Sequence, residues 1–522
     1  MSLPYKGASL IDAPRSFTSE KPLQFSLDPY AGIATWDGKQ ILPLTGTNSV
    51  TSHIDTGLSI HASNGVITYT FLDKAHLTGL YNNPNVGFTA QYGLSVFTPD
   101  QQTAARNAIH LWDDLIPQTF QETNGMGADI MFANSLDPAQ AYSYYPGKHG
   151  WKFQSDVFVN DPSVDNVTNK WFDLGGYGNT TLIHELGHTL GLSHPGAYNF
   201  GPGFSANYEN GAEYAQDSMQ YSIMSYWSGS NTAQITRDWL SQQANYPQTP
   251  MLHDIFVIQE KYGADLTTRA TDTTYGFNSN AGNVVYDFSH NPYPNISIYD
   301  AGGNDTIDLS GFTAGQFLDL HPGSFSSVGQ AVPSLADVNA ARAALGQELG
   351  LAIAPYTQAK LDAAKAAYLP AISANVAFDT GVTGVNATQF SNLSIAYNTI
   401  IENGIGGSAR DVLWGNDAAN VLKGMGGDDV LRGFGGNDTL YGGDGNDTFV
   451  FDNDGSTDTI ADFQTGHDKI DLSNVVGATA PWVTYDASNH RVAIDTDHNG
   501  VADMFINIAG SVPVASDYIF HS

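Results

Sequence analysis

Three histidines and one glutamate lie between residues 184 and 194 at spacings that suit metal-dependent hydrolysis. Because residues four apart share one face of a helix, His184 and His188 can direct imidazole nitrogens to a single cation. Glu185 points one step round the helix, close enough to take a proton from a water on that cation. Gly191 can adopt a positive φ and turn the chain, which returns His194 to the same metal. The run predicts a zinc site, and a helix that carries three histidines by chance is the alternative.

A second candidate site element is the segment Ser222–Trp227, downstream of the histidines. Met224 alone would be interpreted as core packing, and Tyr226 alone as a packed aromatic. Their joint occurrence at this distance from the histidines predicts that both belong to the metal site, as the Met-turn that lies under the zinc of metzincin proteases.

The chain resembles the serralysins, the secreted bacterial branch of the metzincins, over roughly residues 30–330 and 390–520. Pro195, directly after the third histidine, is informative for this branch. The resemblance rests on the zinc run and on four further stretches, which are Ala141–Gly147, Tyr221–Trp227, Tyr275–Asn280 and Asp300–Asp305.

This resemblance implies a zinc endopeptidase that cleaves protein and peptide substrates through a zinc-bound water activated by Glu185. Zinc would be bound by His184, His188, His194 and, at rest, Tyr226, which would swing away to stabilise the oxyanion during turnover. The implied fold is an α+β metzincin-like catalytic domain followed by an all-β parallel β-roll domain. A monomer, synthesised as a zymogen and open to a proteinaceous inhibitor, is expected.

Composition points to calcium as a second metal. Of the 53 acidic residues in this chain of 522, 45 are Asp, and the net charge is −33. Short-armed carboxylates together with 54 glycines suit hard cations bound in tight turns. The same charge argues against nucleic acid or an anionic membrane as a partner, and the length allows at least two cores.

The sequence also bears on the route of export. Cysteine is absent, which excludes disulfides, thiol catalysis and thiolate metal sites. No run of 18 apolar residues predicts a transmembrane helix, and Met1–Asp12 has no Sec-type signal. Asp517–Phe520, followed by His521 and Ser522, resembles the uncleaved C-terminal signal of serralysins. We therefore expect a Sec-independent bacterial protein, secreted to the extracellular medium by type I secretion machinery.

We expect three units along the chain: an N-terminal arm or propeptide over 1–50, a catalytic domain over 51–270, and a calcium-binding RTX (Gly/Asp nonapeptide-repeat) unit over 271–522. In the catalytic domain, Val66–Phe71 alternates as a strand and Thr98 caps a helix. Strands are also predicted at 128–134 and 141–145. The second would be either an edge to which an extended substrate pairs or a plain sheet edge.

A nine-residue period holds five times between Asp411 and Phe449. Each unit combines a glycine-rich turn with a short strand, which predicts a parallel β-roll with calcium between turns 18 residues apart. A flexible Gly/Asp linker would not explain the regular apolar position. The sixth positions are Asp411, Asn420, Asp429, Asp438 and Asp447, and the apolar positions are Leu413, Leu422, Leu431, Leu440 and Phe449.

Candidate calcium ligands follow from the repeat and from the family pattern. Ala409, Arg410 and Asn420 depart from the repeat, so calcium in those turns should be weak or lost. The resemblance assigns ligands before the array at Arg269 and Thr271 (through carbonyls), Asp300, Gly302, Gly303, Asp305 and Glu402. Within the array, the candidates are Gly407, Asp411, Gly424, Gly426, Gly427, Asp429, Gly433, Gly435, Gly436, Asp438, Gly442, Gly443, Asp444, Gly445 and Asp447.

An alanine-rich segment at about 330–390 departs from the serralysin pattern. Leu335–Leu349 and Tyr356–Leu369 predict two helices, which form either a neutral surface hairpin or a regulatory or exosite element. Two other functions compete with a protease. A calcium-dependent adhesion protein with a vestigial protease domain would be expected to have lost Glu185 or a ligand, and a polysaccharide-acting enzyme has no use for the zinc run.

Overall fold

The computed structural model describes residues 35–36, 38–73, 93–124, 127–136, 140–147, 155–164, 167–199, 205–475 and 482–520. Most of the arm expected over 1–50 lies outside these ranges, as do His521 and Ser522. The helices are α1 Val50–Ile54, α2 Pro99–Asp113, α3 Tyr177–Thr189, α4 Tyr208–Gly211, α5 Leu252–Tyr262, α6 Leu335–Leu349 and α7 Gln358–Thr380. Short 3-10 turns occupy Val167–Lys170, Gly229–Thr232, Val284–Tyr286 and Ala515–Asp517.

The strands of the first half are β1 Thr35–Trp36, β2 Lys39–Gln40, β3 Val66–Phe71, β4 Thr119–Glu122, β5 Ile130–Ser135, β6 Ala141–Ser143 and β7 Ser155–Asn160. Those that follow are β8 Thr274–Gly276, β9 Ile296–Ile298, β10 Thr306–Asp308, β11 Phe317–Asp319, β12 Phe325–Ser326, β13 Leu393–Ile395, β14 Asn403–Ile405, β15 Val412–Asn416 and β16 Val421–Lys423. The last are β17 Val430–Phe434, β18 Thr439–Tyr441, β19 Thr448–Asp452, β20 Thr457–Phe463, β21 Lys469–Asn474, β22 Trp482–Asp486, β23 Arg491–Asp495, β24 Met504–Gly510 and β25 Tyr518–Ile519.

The first half is built on a five-stranded sheet in the order β4-β3-β5-β7-β6. All its pairs are parallel except β6 with β7, so β6 is an antiparallel edge strand. The predicted strands at 66–71, 128–134 and 141–145 are confirmed as β3, β5 and β6. Thr98 caps α2 as predicted, because its hydroxyl accepts the Gln101 backbone N–H.

Helix α3 carries the zinc run and is buried along its whole length. It packs on α2, where the Trp112 indole donates to the Ile183 carbonyl at 3.0 Å. The helix ends at Thr189, and Gly191 has φ +92°. A Cβ at Gly191 would collide with the Leu58 carbonyl, so this turn needs glycine both for its φ and for space. The predicted turn at Gly191 is confirmed.

In the second half, successive nine-residue units alternate between two sheets. One has the order β22-β23-β24-β20-β18-β16-β14-β10-β8 and the other β11-β15-β17-β19-β21-β25. Pairing in the array is parallel with an 18-residue register, as in Leu413 with Leu431 and Leu422 with Leu440. The five apolar repeat positions are fully buried in one cluster with the core of the first half.

Helices α6 and α7 confirm the two predicted helices, but α7 extends beyond Leu369, through Pro370, to Thr380. The helix continues past the proline because Ile372 and Val376 are buried in a cluster with Trp239 and Trp414. Tertiary packing here outweighs the lost N–H. Within the described ranges, no helix is long and apolar enough to cross a membrane.

Candidate metal centre

The imidazoles of His184, His188 and His194 converge on one point. Nε2 of His194 lies 3.1 Å from Nε2 of His188 and 3.3 Å from Nε2 of His184. One ligand atom from each residue lies within 4.8 Å of the others, and all three residues are buried. The structure therefore brings together the three histidines that the sequence predicts as zinc ligands.

The second nitrogen of each ring fixes the tautomer. Nδ1 of His184 lies 2.8 Å from the Ile223 carbonyl oxygen, Nδ1 of His188 2.7 Å from that of Leu192, and Nδ1 of His194 3.0 Å from that of Tyr198. Since a carbonyl only accepts, each Nδ1 carries the proton and each Nε2 has a free electron pair. Three neutral imidazoles in this arrangement fit zinc, which prefers nitrogen ligands in tetrahedral geometry.

Burial keeps these rings neutral. It lowers the pKa of His184 to about 4 and that of His188 to about 3, and it holds the pKa of His194 well below its usual range. The neutral imidazole is the form that binds a metal. The residues are thus ready for zinc at neutral pH without losing a proton.

Glu185 lies beside the histidines and touches the edge strand. The Ser143 hydroxyl of β6 lies 2.5 Å from Glu185 Oε2 and 2.8 Å from the Glu185 carbonyl oxygen. Burial raises the pKa of Glu185 to about 7, and the Ser143 hydrogen bond opposes that shift. A carboxyl group with a pKa near neutrality is suited to accept and return a proton.

Three tyrosines surround the histidines. The Tyr226 ring centroid lies 4.2 Å from that of His194 and 6.0 Å from that of His184. Tyr198 stacks on His194 at 5.6 Å, and Tyr145 meets His188 edge-on at 5.5 Å. Burial and the nearby Glu185 raise the Tyr226 pKa, which keeps its phenol protonated as a hydrogen-bond donor.

The Met-turn, Ser222–Trp227, lies directly against the zinc helix. Met224 is fully buried, and a Cβ at Gly187 would come within 2.5 Å of its sulfur. Gly187 therefore allows the helix to approach the Met-turn closely. Met224 and Tyr226, which the sequence predicts as site elements, therefore both lie close to residues of the zinc run.

Sequence reasoning missed Ser143, Tyr145 and Tyr198 as site residues. Ser143 and Tyr145 lie in the stretch Ala141–Gly147. The resemblance of this stretch to serralysins does not by itself predict a contact with the metal site. Tyr198 gives no signal beyond its position four residues after His194. It contacts His194 both with its ring and through its backbone carbonyl, and neither contact leaves a local sequence pattern.

The predicted calcium turns contain buried carboxylate oxygens without a hydrogen-bond partner. They are Oδ2 of Asp429, Asp438 and Asp447. In each case the other oxygen, Oδ1, accepts the backbone N–H of the residue 18 positions earlier, at 2.8–2.9 Å. A partnerless buried carboxylate oxygen is costly, so these positions fit a cation.

Burial raises the pKa values of these aspartates, to about 8 for Asp429, 7 for Asp438 and 6 for Asp447. Glycine precedes each of them by five residues, at Gly424, Gly433 and Gly442, and a Cβ there would strike the Asp carboxylate. Asp444, in contrast, is exposed, and its carbonyl accepts the Gly427 N–H at 2.9 Å.

The degraded turns are satisfied without a cation. The Asn420 amide donates to the Glu402 carbonyl at 3.0 Å and to Asn416 Oδ1 at 3.1 Å, and its oxygen accepts the Asn416 N–H at 2.7 Å. Both oxygens of Asp411 accept backbone N–H groups, from Gly407 at 2.5 Å and Gln316 at 2.7 Å. In these two turns the side-chain oxygens therefore already have hydrogen-bond donors.

The ligands predicted before the array also come together. Glu402 Oε2 accepts the Asp305 N–H at 2.7 Å, and Asp305 Oδ2 is buried without a hydrogen-bond partner. Burial raises the pKa of Asp305 to about 7, and the charge of the nearby Asp300 adds to this shift. The Arg269 side chain forms an ion pair with Asp114 at 2.6 Å. A Cβ at Gly303 would strike Thr271 and Asp305.

The chain is similar to known proteins along most of its length. Residues 264–346 and 377–520 match the family model described as the peptidase M10 serralysin C terminal. Metallopeptidase AprA of Pseudomonas marginalis is 38% identical over 476 residues, which are 86% of this chain and 85% of the relative. Serralysin G of Dickeya chrysanthemi is 35% identical over 493 residues, 89% of this chain and 87% of the relative.

The break in the family model, between residues 346 and 377, falls at the end of α6 and across most of α7. The insertion predicted at about 330–390 is wider than this interruption, since residues 335–346 of α6 lie inside the match. With relatives of this identity and coverage, the chain belongs to the serralysin family and is a metallopeptidase.

Proposed function

We propose that the chain is a secreted zinc endopeptidase of proteins, with zinc held by His184, His188 and His194 and with Tyr226 as an additional ligand at rest. The observation that carries the proposal is the convergence of three Nε2 atoms whose Nδ1 partners are already hydrogen-bonded. When bound, zinc supplies a Lewis acid that polarises the scissile carbonyl and acidifies the attacking water.

The protein residues then move the protons. The Glu185 carboxylate accepts a proton from the attacking water and delivers it to the amine nitrogen of the leaving product. The Tyr226 phenol donates a hydrogen bond to the oxygen that becomes negative as the carbonyl carbon turns tetrahedral. The antiparallel edge of β6 suits an extended peptide, and Ser143 links that edge to Glu185.

The other candidate ligands belong to proposed calcium sites, and the role of calcium there would be structural. We propose that calcium binds between turns of a parallel β-roll at Asp429, Asp438 and Asp447, and at the cluster of Asp300, Asp305 and Glu402. The orphaned Oδ2 atoms support this. With little calcium in the cytosol the acidic turns repel and stay unfolded, fit for type I export, and calcium outside drives folding.

We also propose domain boundaries at residues 50 and 270. The protein is proposed to be a monomer that is synthesised as a zymogen and is open to a proteinaceous inhibitor. Asp517–Phe520 is proposed as the export signal. In the folded protein Asp517 is buried, and Tyr518–Ile519 pairs with β21 as strand β25. The secretion machinery would therefore have access to this signal before the chain folds and not afterwards.

A casein digest tests the proposed activity. With calcium present throughout, a zinc-selective chelator should abolish cleavage, and added zinc should restore it. Cleavage that persists after all zinc has been removed would contradict the proposal. If the zinc-loaded and calcium-loaded protein cleaves no protein substrate, the calcium-dependent adhesion protein becomes the better account, although every candidate ligand of the zinc site is present.

A further inference from the structure

Two buried carboxylates hold the Met-turn from opposite ends. Asp254, on α5, contacts its first two residues, and Asp217, on the preceding loop, contacts its last part. Both side chains are fully buried. Neither aspartate belongs to the zinc run or to the residues assigned to proton transfer.

A single residue, Ile223, links Asp254 to a zinc ligand. Its carboxylate accepts the Ser222 hydroxyl and the Ile223 backbone N–H, both at 2.6 Å, and the Met251 N–H at 2.8 Å. The carbonyl of the same Ile223 receives Nδ1 of His184 at 2.8 Å. A displacement of Asp254 would therefore move the group that orients this ring.

Asp217 has the corresponding position at the other end. It accepts the Tyr198 phenol and the Ser225 hydroxyl, both at 2.7 Å, and the Trp227 indole N–H at 3.2 Å. The Tyr198 carbonyl receives Nδ1 of His194 at 3.0 Å. The Tyr198 ring lies 5.1 Å from the ring of Tyr226. In the sequence, Tyr226 lies between Ser225 and Trp227, the two Met-turn residues whose side chains donate to Asp217.

The two ends are built alike. Each serine hydroxyl donates to its aspartate and accepts the backbone N–H two residues further on, Ser222 from Met224 and Ser225 from Trp227, both at 3.1 Å. The named partners of both carboxylates are all donors. An asparagine would face one of these donors with its own N–H groups, which leaves buried donors unpaired.

We propose that Asp254 and Asp217 are positioning residues of the metal centre, a proposal that rests on the function proposed above. Asp254 orients His184 through Ile223. Asp217 orients His194 through Tyr198 and fixes Tyr226 through Ser225 and Trp227. The Met-turn thus connects two buried carboxylates to two zinc ligands and to the oxyanion donor.

The test compares Asp254→Asn and Asp217→Asn with the control Asp238→Asn. Asp238 accepts backbone N–H groups of Leu240 and Ser241 at 2.9 and 3.2 Å, in a turn outside the Met-turn. The readouts are zinc affinity by chelator competition, the visible spectrum of the cobalt-substituted protein, and kcat and KM on a peptide. Circular dichroism and thermal melting report folding.

We expect Asp254→Asn to lower zinc affinity by roughly 10–100-fold and to shift the cobalt spectrum. Asp217→Asn should lower kcat by about tenfold or more with KM nearly unchanged, since Tyr226 acts mainly in the transition state. Tyr198→Phe should cause part of this loss, and the double variant should lose less than the two single losses combined. Asp238→Asn should leave zinc affinity and the cobalt spectrum unchanged.

If an aspartate variant does not fold, Ser222→Ala and Ser225→Ala remove one contact each and should show smaller changes of the same kind. The proposal is overturned if zinc affinity, the cobalt spectrum and kcat of folded variants match those of Asp238→Asn. A wild-type protein that binds zinc but cleaves nothing would instead defeat the proposed function, and the affinity and spectral tests would still stand.

Discussion

The zinc site and the proposed calcium turns both bury groups that can ionise, but burial affects their readiness for a metal differently. At the zinc site it lowers the histidine pKa values, and the neutral imidazole that results is the form that binds metal. In the turns it raises the pKa values of Asp429 and Asp438, and the neutral carboxyl group is not the form that binds calcium. Burial thus favours the metal-binding form of the histidines and disfavours the metal-binding form of the aspartates.

Hydrogen bonding shows the same contrast. Each zinc-site Nδ1 has a carbonyl partner in the folded chain, so the site can be ordered before metal arrives. In the turns one oxygen of each of Asp429, Asp438 and Asp447 has no hydrogen-bond partner. We therefore expect the catalytic half to fold without its metal and the nine-residue array to lose most of its stability without calcium.

The largest expected effect is that of Glu185→Ala on catalysis. Its ligands remain, so zinc should stay bound, but the proton carrier is lost. We expect kcat to fall by roughly 10²–10⁴ or more, measured on a peptide substrate with zinc content checked by metal analysis. Glu260→Ala, at an exposed position on α5, is the matched control. Near-wild-type turnover by Glu185→Ala would refute the assignment of the base.

Tyr226→Phe should reduce kcat more than KM, because the phenol is needed mainly when the oxyanion forms. Loss of one such donor typically costs about 10²–10³ in kcat. Steady-state kinetics with the zinc-loaded variant measures this. If only KM changes, Tyr226 shapes the pocket and does not stabilise the transition state.

The zinc ligands, the Gly191 turn and the spacing of the array were predictable because each is encoded within a few neighbouring residues. The extension of α7 past Pro370 could not be predicted from the local sequence. Its cause is packing against Trp239 and Trp414, which are far away in the sequence. The contact of Ser143 with Glu185, and the positions of Asp217 and Asp254, depend on tertiary proximity that no local motif records.

The stability of the calcium-free array should depend on pH. The folded pKa values of Asp429, Asp438 and Asp447 are about 8, 7 and 6, above the value near 4 of an unfolded chain. The stabilisation from their bound protons is fully present below about pH 4 and is lost as the pH rises towards about 8. Thermal melting of calcium-free protein, followed by its strand signal, should therefore show a lower midpoint at pH 8 than at pH 5.

Excess calcium should remove most of this dependence, because it stabilises the ionised carboxylates. A calcium-free midpoint that rises between pH 5 and pH 8 would show that these aspartates are not buried as neutral groups.

Asn420→Asp should have the smallest effect and should change sign with calcium. Without calcium the new carboxylate faces the Glu402 carbonyl and Asn416 Oδ1, which the Asn420 amide now satisfies, so the melting midpoint should fall. With limiting calcium the same oxygens form a cation site, and the midpoint should rise by a few degrees. Asn437→Asp, at a position that is not a sixth-position residue, is the control. Equal shifts with and without calcium would contradict this role.

Hydrogen exchange with and without calcium tests the central contrast most directly. After calcium is removed, amides of residues 411–449 should exchange rapidly, while those of α3, Tyr177–Thr189, stay protected and zinc stays bound, at least initially. Readdition of calcium should restore protection of the array. Full protection of residues 411–449 without calcium, or simultaneous loss of protection in α3, would contradict the account.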